Sequence, residues 1–270
     1  MTHSYTADII IKGEKMKNLL FIGDVVGKSG CDFLEKKIYD IRKKYSVDFT
    51  VINGENSAQN NGITKFSADM LLNCGADVIT TGNHCFKRRD SLAIYASDNI
   101  LRPANFPDGC TGKGVCVLDC GYFKIAVVNL MGTVYMEALD NPFTTIEKIL
   151  ENINTPNIFL DFHAEATAEK KAMGHFLTGK VTAVMGTHTH VQTSDEIVLG
   201  NHTGYITDAG MTGPELSVLG VNIKAAVDKQ RFKFPVRFTE AESPCFINGV
   251  VITFDEKSGK CTNIRRIIER

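Results

Sequence analysis

The chain has 270 residues, of which 43% are hydrophobic and 23% charged, with a formal net charge of −1 at pH 7. These values are typical of a globular protein with a substantial core, and the nearly neutral total excludes an overall electrostatic attraction to nucleic acid or to an anionic membrane. No apolar run approaches the roughly 18–20 residues that a membrane-spanning helix needs.

The first fifteen residues lack the regular pattern that begins at Met16. They also lack the basic start and apolar core of a secretory signal. We therefore predict a disordered extension over residues 1–15 and a single domain over residues 16–270. The eight cysteines form no C-x-x-C pair, which favours reduced thiols and a cytoplasmic location.

Apolar runs alternate with helical patterns through the first half of the chain. Buried strands are predicted over 18–24, 49–56 and 76–84, each ending in polar residues. Apolar spacing predicts helices over 30–45, around 66–75 and over 87–97. Strands that alternate with helices are typical of parallel β-α-β units.

The second half of the chain is richer in predicted strands. A hairpin over 114–119 and 123–130 precedes a helix over 142–152 and a strand over 157–163. A helix over 166–178 and a strand over 181–186 follow, and the region from residue 235 is mostly β. The chain is therefore predicted to be an α/β protein in which this half forms a second sheet packed on the first.

Five predicted strands end in side chains able to bind a metal ion. Since sites on parallel sheets form outside the carboxyl ends of the strands, these groups are expected to converge. Each residue alone has a structural explanation, such as a helix cap or a turn, but their recurrence at every exit favours one shared site. The residues are Asp24; Glu55 with Asn56; Asn83 with His84; His163; and His188 with His190.

The interval between His188 and His190 adds a geometric prediction. In extended backbone, residues two apart project to the same face, so both imidazoles are expected to face one site. Two such rings suit two metals held about 3.5–4 Å apart, with Glu55 able to bridge them. The mixed nitrogen and oxygen donors favour iron, manganese or zinc over calcium.

Two other catalytic motifs are absent from the sequence. The triplet Gly27-Lys-Ser resembles the end of a phosphate-binding P-loop, but Ile22 stands where that motif needs a glycine. No G-x-S-x-G segment is present either, which argues against a serine hydrolase of that type.

The segments GD, GEN, GNH and GTHTH occur in this order along the chain and resemble the successive blocks of the calcineurin-like metallophosphoesterases. The resemblance extends from Met16 to the C-terminus. That superfamily usually begins with D-x-H and bridges its metals with aspartate. Here Val26 stands in place of the histidine, and Glu55 and Asn56 stand at the bridging position. This variant, with IGDVVGK, NGENSAQNNGIT, TTGNH and TDAGMTGP, is similar to the bacterial YmdB-like family.

The resemblance implies a four-layer α-β-β-α sandwich and a centre of two transition-metal ions, with iron favoured and manganese or zinc as alternatives. His84 would lie beside the metals as a catalytic residue. The implied ligands of the first metal are Asp24, Glu55, Asn56 and His190. Those of the second metal are the bridging Glu55 with Asn83, His163 and His188.

The same resemblance implies hydrolysis of 2′,3′-cyclic nucleotides, such as cyclic AMP and GMP of this type, to 3′-nucleotides through a metal-bridging hydroxide. His84 would protonate the leaving ribose oxygen or steady the transition state. A glycine-containing loop is an equally good candidate for substrate contact and for a structural turn. Its residues are Thr207, Asp208, Gly210 and Gly213.

The implied partner is a small nucleotide phosphodiester, with no stable binding of nucleic acid and no membrane association. A homo-oligomer is compatible with the family. Two alternatives stay open: a broader phosphoesterase or phosphoprotein phosphatase with the same centre, and a regulatory protein that acts on RNA metabolism through partners.

Overall fold

The structure is a computed structural model that describes residues 16–270. The extension predicted over residues 1–15 lies outside the described residues, and the single-domain assignment stays a prediction. No helix within the described range is long and apolar enough to cross a membrane.

In chain order, the strands are β1 (Met16–Ile22), β2 (Asp24–Val25), β3 (Phe49–Asn53), β4 (Val78–Thr80), β5 (Val115–Asp119), β6 (Lys124–Met131), β7 (Ile158–His163), β8 (Ala183–Thr187), β9 (Ile197–Leu199), β10 (Thr203–Ile206), β11 (Met211–Pro214), β12 (Cys245–Asp255) and β13 (Cys261–Glu269). The α-helices are α1 (Gly27–Lys44), α2 (Lys65–Asn73), α3 (Pro142–Leu150), α4 (Thr167–Phe176) and α5 (Ile223–Phe232). The short helix predicted over 87–97 is a 3-10 helix, Arg89–Ala96.

The strands form two sheets. The first has the order β2-β11-β12-β1-β3-β4, with β13 also paired to β12. The second has the order β5-β6-β7-β8-β10-β9. As predicted, β1, β3 and β4 are parallel neighbours, and β6, β7 and β8 are parallel as well.

The C-terminal hairpin corrects one prediction. The second half of the chain does supply the second sheet, but β12 and β13 join the first one. The reason is a long-range pairing, in which β12 runs antiparallel to β1 from the pair Ile22 and Gly249 to the pair Met16 and Asp255. The apolar pattern of β12 shows that it is a strand but does not identify the neighbouring strand.

Three apolar cores separate four layers. Alternate residues of β1 serve different cores, as the two-residue period of a strand requires. Leu20 and Ile22 pack with the buried faces of α1 and α2. Leu19 and Phe21 pack against the second sheet, for example against Phe159. The outer face of the second sheet packs on α3 and α4 through a third cluster. The predicted α-β-β-α sandwich is confirmed.

Candidate metal centre

The polar residues predicted at the strand ends lie together in the structure. Asp24 is the first residue of β2, Glu55 and Asn56 follow β3, Asn83 and His84 follow β4, His163 ends β7, and His188 and His190 follow β8. The side chains of Asp24, Glu55 and His163 are fully buried. The arrangement arises because both sheets direct the carboxyl ends of these strands to one edge of the sandwich.

His163 is at the centre of one group of contacts. Its Nε2 lies 2.9 Å from Asn83 Oδ1, 3.0 Å from His188 Nδ1 and 3.3 Å from Glu55 Oε2. Ligand atoms of Glu55, His163 and His188 all lie within 4.8 Å of one another. This spacing allows one ion to contact all three.

A second group of contacts surrounds His190. Its Nε2 lies 3.7 Å from Asp24 Oδ1 and 3.1 Å from Asn56 Nδ2. The same Asn56 nitrogen donates to Glu55 Oε1 at 2.9 Å. Glu55 therefore lies between the two groups of donors, with one oxygen directed to each.

The hydrogen bonds of His163 determine which of its nitrogens is a donor. Thr187 donates its hydroxyl proton to Asp161 Oδ1 at 2.7 Å, so the Thr187 oxygen is left to accept from His163 Nδ1 at 2.9 Å. In the neutral ring, Nε2 then carries a lone pair that points at oxygens of Glu55 and Asn83. Such an arrangement requires a cation, either a proton or a metal ion, between these atoms.

The electrostatics of the site lead to the same conclusion. Burial acts to lower the pKa of His163, but the carboxylates of Glu55, Asp24 and Asp161 outweigh it and raise that pKa to about 9. Burial acts to raise the pKa of Glu55, but the charge and hydrogen bonds of His163 and His84 hold it well below its usual value. Burial and the positive charge of His163 lower the pKa of His188 to about 3. The centre therefore attracts positive charge and leaves the His188 ring neutral, with a lone pair that can bind a metal ion.

The residues present fit transition-metal ions. Burial raises the pKa of Asp24, and its Oδ1 has no hydrogen-bond partner within residues 16–270 although it is buried. A buried carboxylate oxygen without a partner is costly unless a cation compensates it. Imidazole nitrogens with carboxylate and amide oxygens form a donor set suited to iron, manganese or zinc. The Oδ1 of Asn56 faces His84 Nδ1 at 2.9 Å, so metal binding through this amide oxygen requires a half-turn of the amide.

The backbone conformation at His188 and His190 differs from the prediction. The expectation of extended backbone is wrong, because β8 ends at Thr187 and both His188 and His190 have left-handed φ values of 100° and 64°. The rings consequently face different partners, His188 towards His163 and His190 towards Asp24. The turn, rather than strand alternation, brings both rings to the site.

A buried ion pair supports that turn from behind. Asp208 accepts hydrogen bonds from Thr189 N at 3.1 Å and from Thr189 Oγ1 at 2.8 Å. Lys170 donates to the same oxygen of Asp208 at 2.7 Å, and both side chains are buried. Because left-handed backbone is unfavourable for residues other than glycine, the turn needs fixed contacts of this kind.

His84 lies at the edge of the site. Its backbone N–H donates to Glu55 Oε2 at 3.2 Å, and its ring Nδ1 lies 3.2 Å from Glu55 Oε1. The side chain is 23% exposed, whereas Glu55 is fully buried. His84 therefore borders solvent while it contacts the carboxylate at the centre, consistent with the predicted position beside the metals.

Gly82 shows why the segment before Asn83 needs a glycine. A Cβ at this position would overlap the ring of His163 and the carboxylate of Glu55. The backbone that follows β4 therefore packs directly against these side chains, which places Asn83 within reach of His163 Nε2 at 2.9 Å.

The predicted substrate loop is buried at all four of its named positions, which are Thr207, Asp208, Gly210 and Gly213. Thr207 hydrogen-bonds to Asp195, and the carbonyl of Gly210 accepts from Asp24 N at 3.0 Å. In the structure this loop supports the donors from the interior, and contact with substrate stays a prediction.

Val26, at the position of the usual superfamily histidine, is 7% exposed. It packs against Gly213 and Gly220, where even a Cβ would contact its side chain. The position is therefore an apolar wall beside the site, and a larger side chain would not fit without movement of these loops.

Sequence reasoning missed several supporting residues. Glu165 Oε2 lies 3.2 Å from His188 Nε2, and Asp161 accepts from Thr187, Thr80 and Asn53. A charged residue within the apolar strand before His163 was a signal for Asp161. Glu165 lies in an ordinary polar loop, where the sequence carries no comparable signal.

Comparison with known proteins relates the chain to others of similar length. A family model described as YmdB-like protein matches residues 20–267. The 2′,3′-cyclic-nucleotide 2′-phosphodiesterase of Bacillus subtilis (strain 168) is 42% identical over 254 residues, which cover 93% of this chain and 96% of that protein. A putative phosphatase/phosphodiesterase of Mycoplasma genitalium is 33% identical over 261 residues, with 92% of each chain covered.

Solved structures show similar folds. A hypothetical protein from Thermus thermophilus has a TM-score of 0.89 at 34% identity, with 94% of this chain and 100% of that chain covered. A phosphatase from Mycoplasma pneumoniae has a TM-score of 0.90 at 29% identity, with 95% of each chain covered. A putative 5′-nucleotidase from Staphylococcus aureus, at 14% identity and a TM-score of 0.57, shares the fold; the alignment covers 93% of this chain and 54% of that chain.

Proposed function

The chain belongs to the YmdB-like protein family, and on that premise we propose that it is a metal-dependent phosphodiesterase that hydrolyses 2′,3′-cyclic nucleotides to 3′-nucleotides. The observation that carries the proposal is Glu55 between two groups of donors, one around His163 and one around His190. The activity in the name of the Bacillus subtilis relative supports the choice of substrate.

The donors would be divided between two ions, for which iron is favoured and manganese or zinc are the alternatives. Asp24, Asn56 and His190 would hold one ion, Asn83, His163 and His188 would hold the other, and Glu55 would contact both. When bound, such ions neutralise phosphate charge and lower the pKa of coordinated water.

His84 would supply the proton for the leaving ribose oxygen. Its Nδ1 lies 3.2 Å from Glu55 Oε1, an acceptor that stays in place when the Asn56 amide turns its oxygen to the metal, so this nitrogen would donate to that carboxylate. Among the described residues no group hydrogen-bonds to its Nε2, which would hold the proton that passes to the 2′ oxygen. Cleavage of the 2′ ester then leaves the phosphate on the 3′ oxygen.

The surrounding residues would keep the donors in place before substrate arrives. Asp161 and Thr187 fix the tautomer and orientation of His163, while Asp208 holds the turn that carries His188 and His190. Preorganised donors need not rearrange during the reaction, which is where much of the rate enhancement of such sites originates.

The test combines metal analysis with a substrate panel. We expect about two transition-metal ions per chain and a higher kcat/KM for 2′,3′-cyclic nucleotides than for 3′,5′-cyclic or linear phosphodiesters. Equal hydrolysis of all three classes would favour a broader phosphoesterase instead. A protein that binds no metal and hydrolyses no member of the panel would contradict the proposal and favour a role through partners.

A further inference from the structure

A cavity of about 400 Å³ opens beside Asn56, whose side chain also contacts His84. This size lies within the range of about 300–1,000 Å³ that is usual for small-molecule sites. The residues that matter for its chemistry are Val26, Asn56, Asn61, Lys87, Arg237 and Phe238.

One wall of the cavity is apolar because of Val26. The side chain of Val26 packs against Gly220, which also lines the cavity. The backbone carbonyl next to this glycine, that of Leu219, lies 3.3 Å from His190 Nδ1. The wall therefore reaches the group of side chains around His190. A substrate whose phosphate lies at the metal centre would place the part attached to that phosphate in this cavity.

The lining of the cavity also includes an aromatic ring. Phe238 lines the cavity and keeps 42% of its surface exposed. The residues that follow it are held in place, since Thr239 O accepts from Asn222 N at 2.9 Å and Ala241 N donates to Gly220 O at 3.0 Å. An exposed ring on a fixed segment is suited to stack on a flat ligand.

Glu240 ties the same segment to helix α1. Its carboxylate accepts from Ser29 N at 3.0 Å and also contacts the Ser29 hydroxyl. Val26, the N-cap residue of α1, makes no side-chain capping hydrogen bond, so Glu240 supplies the negative charge at this helix end. This contact holds the residues on either side of Glu240 against the Val26 wall.

The remaining lining is polar and basic. Lys87 and Arg237 are exposed, and neither forms an ion pair within residues 16–270. Amide side chains, such as that of Asn61, supply both donors and acceptors. An aromatic platform with adjacent amides and cations matches a nucleobase and its anionic sugar phosphate.

We propose that this cavity binds the nucleoside part of the substrate, with the base stacked on Phe238 and the ribose beside Asn56 and His84. The proposal rests on the proposed function, which places the reacting phosphate at the metal donors. It assigns to Phe238 a role in recognition of the base, separate from the chemistry at the phosphate.

The test compares Phe238→Ala with the wild type on two substrates. Adenosine 2′,3′-cyclic phosphate carries a base, whereas ribose 2′,3′-cyclic phosphate has the same reacting ester without one. Since stacking of a base on an aromatic side chain is usually worth tenfold or more in affinity, we expect KM for the adenosine substrate to rise about tenfold. The two proteins should have similar KM and kcat for the ribose substrate.

Phe234→Ala is the matched control, since Phe234 is 49% exposed on the same segment and does not line the cavity. This variant should have wild-type KM and kcat for both substrates. An equal loss on both substrates in Phe238→Ala would indicate a structural role and overturn the proposal, as would no loss on either.

A binding measurement separates this proposal from the proposed function. Adenosine 3′-monophosphate is titrated into manganese-loaded wild type and Phe238→Ala by calorimetry. About tenfold weaker binding in the variant supports the cavity, even if the wild type hydrolyses neither cyclic substrate and the proposed function fails. Equal binding, or no binding to the wild type, overturns the cavity assignment.

Discussion

The ring of His163 faces the hydroxyl of Thr187 through Nδ1 at 2.9 Å, and this contact decides which ring nitrogen is directed at the candidate metal centre. The hydroxyl is itself directed by Asp161, to which it donates at 2.7 Å. Burial raises the pKa of Asp161 to about 6, so its carboxylate is an acceptor at neutral pH. Partners of this kind orient ligands and strengthen metal binding.

Thr187→Val keeps the size of the side chain and removes the hydroxyl that orients His163. We expect metal affinity to fall about 10–100-fold, the usual effect of losing such a partner. Metal affinity is measured by competition with a chelator. The control is Thr50→Val in β3, because the buried hydroxyl of Thr50 has no hydrogen-bond partner within the described chain. Unchanged affinity in Thr187→Val would show that the tautomer of His163 does not matter.

His84→Ala removes the group assigned to proton transfer and leaves the metal donors intact. We expect kcat on 2′,3′-cyclic nucleotides to fall about 10²–10⁴-fold, the range for loss of a general acid, while metal content is retained. His175→Ala, at an exposed position of α4, is the control and should have wild-type activity. Loss of metal in His84→Ala would identify this residue as a ligand instead.

Lys170→Met leaves the buried carboxylate of Asp208 without its cation. The cost is expected to be about 3–5 kcal/mol in the free energy of unfolding, because the remaining charge stays buried and unpaired. Denaturant titration measures this value. In any folded protein that remains, bound metal should decrease, since Asp208 also holds the turn at Thr189.

The neighbouring Lys171 provides the matched control for that experiment. It is exposed and pairs with Asp195 at 3.0 Å, so Lys171→Met should cost less than about 1 kcal/mol. Similar losses in both variants would mean that the buried pair has no special role.

Asp195→Asn tests a pH-dependent contribution to stability. Burial acts to raise the pKa of Asp195, but hydrogen bonds from Thr207, Thr193 and Lys171 outweigh it and lower that pKa to about 2. A lowered folded-state pKa stabilises the protein above the unfolded value of about 3.9, and this contribution is lost as the pH falls towards 2.

The side chain of Asp195 is 31% exposed, so we expect solvent screening to reduce its contribution to about 1 kcal/mol at pH 7. The difference in unfolding free energy between wild type and Asp195→Asn should shrink between pH 4 and pH 2. Asp108→Asn, at an exposed loop position, is the control. A difference that stays constant with pH would rule out the ionised carboxylate as its source.

The local sequence was sufficient to predict the main positions of the site. Apolar runs that end in Asp24, Glu55, Asn83 and His163 identify strand ends, and parallel strands bring such ends to one edge. The fold class followed from the same alternation together with the resemblance in the motifs.

Other features depended on contacts between distant parts of the chain. The left-handed turn at His188 and His190 is held by Asp208, and the ring of His163 is oriented by Thr187, 24 residues away. The pairing of β12 with β1 moves the C-terminal hairpin into the first sheet. Phe238 lines the cavity because backbone hydrogen bonds hold the residues after it, Thr239 and Ala241, against the loop around Gly220.

The sequence by itself therefore determined which residue types end each strand, because apolar periodicity and polar strand ends are local properties of the chain. Only the tertiary structure decided which nitrogen of His163 faces Glu55, how His190 reaches Asp24, and that Val26 and Phe238 line one cavity. The physical reason is that these relationships depend on packing and hydrogen bonds between segments far apart in the chain, for which no local pattern exists.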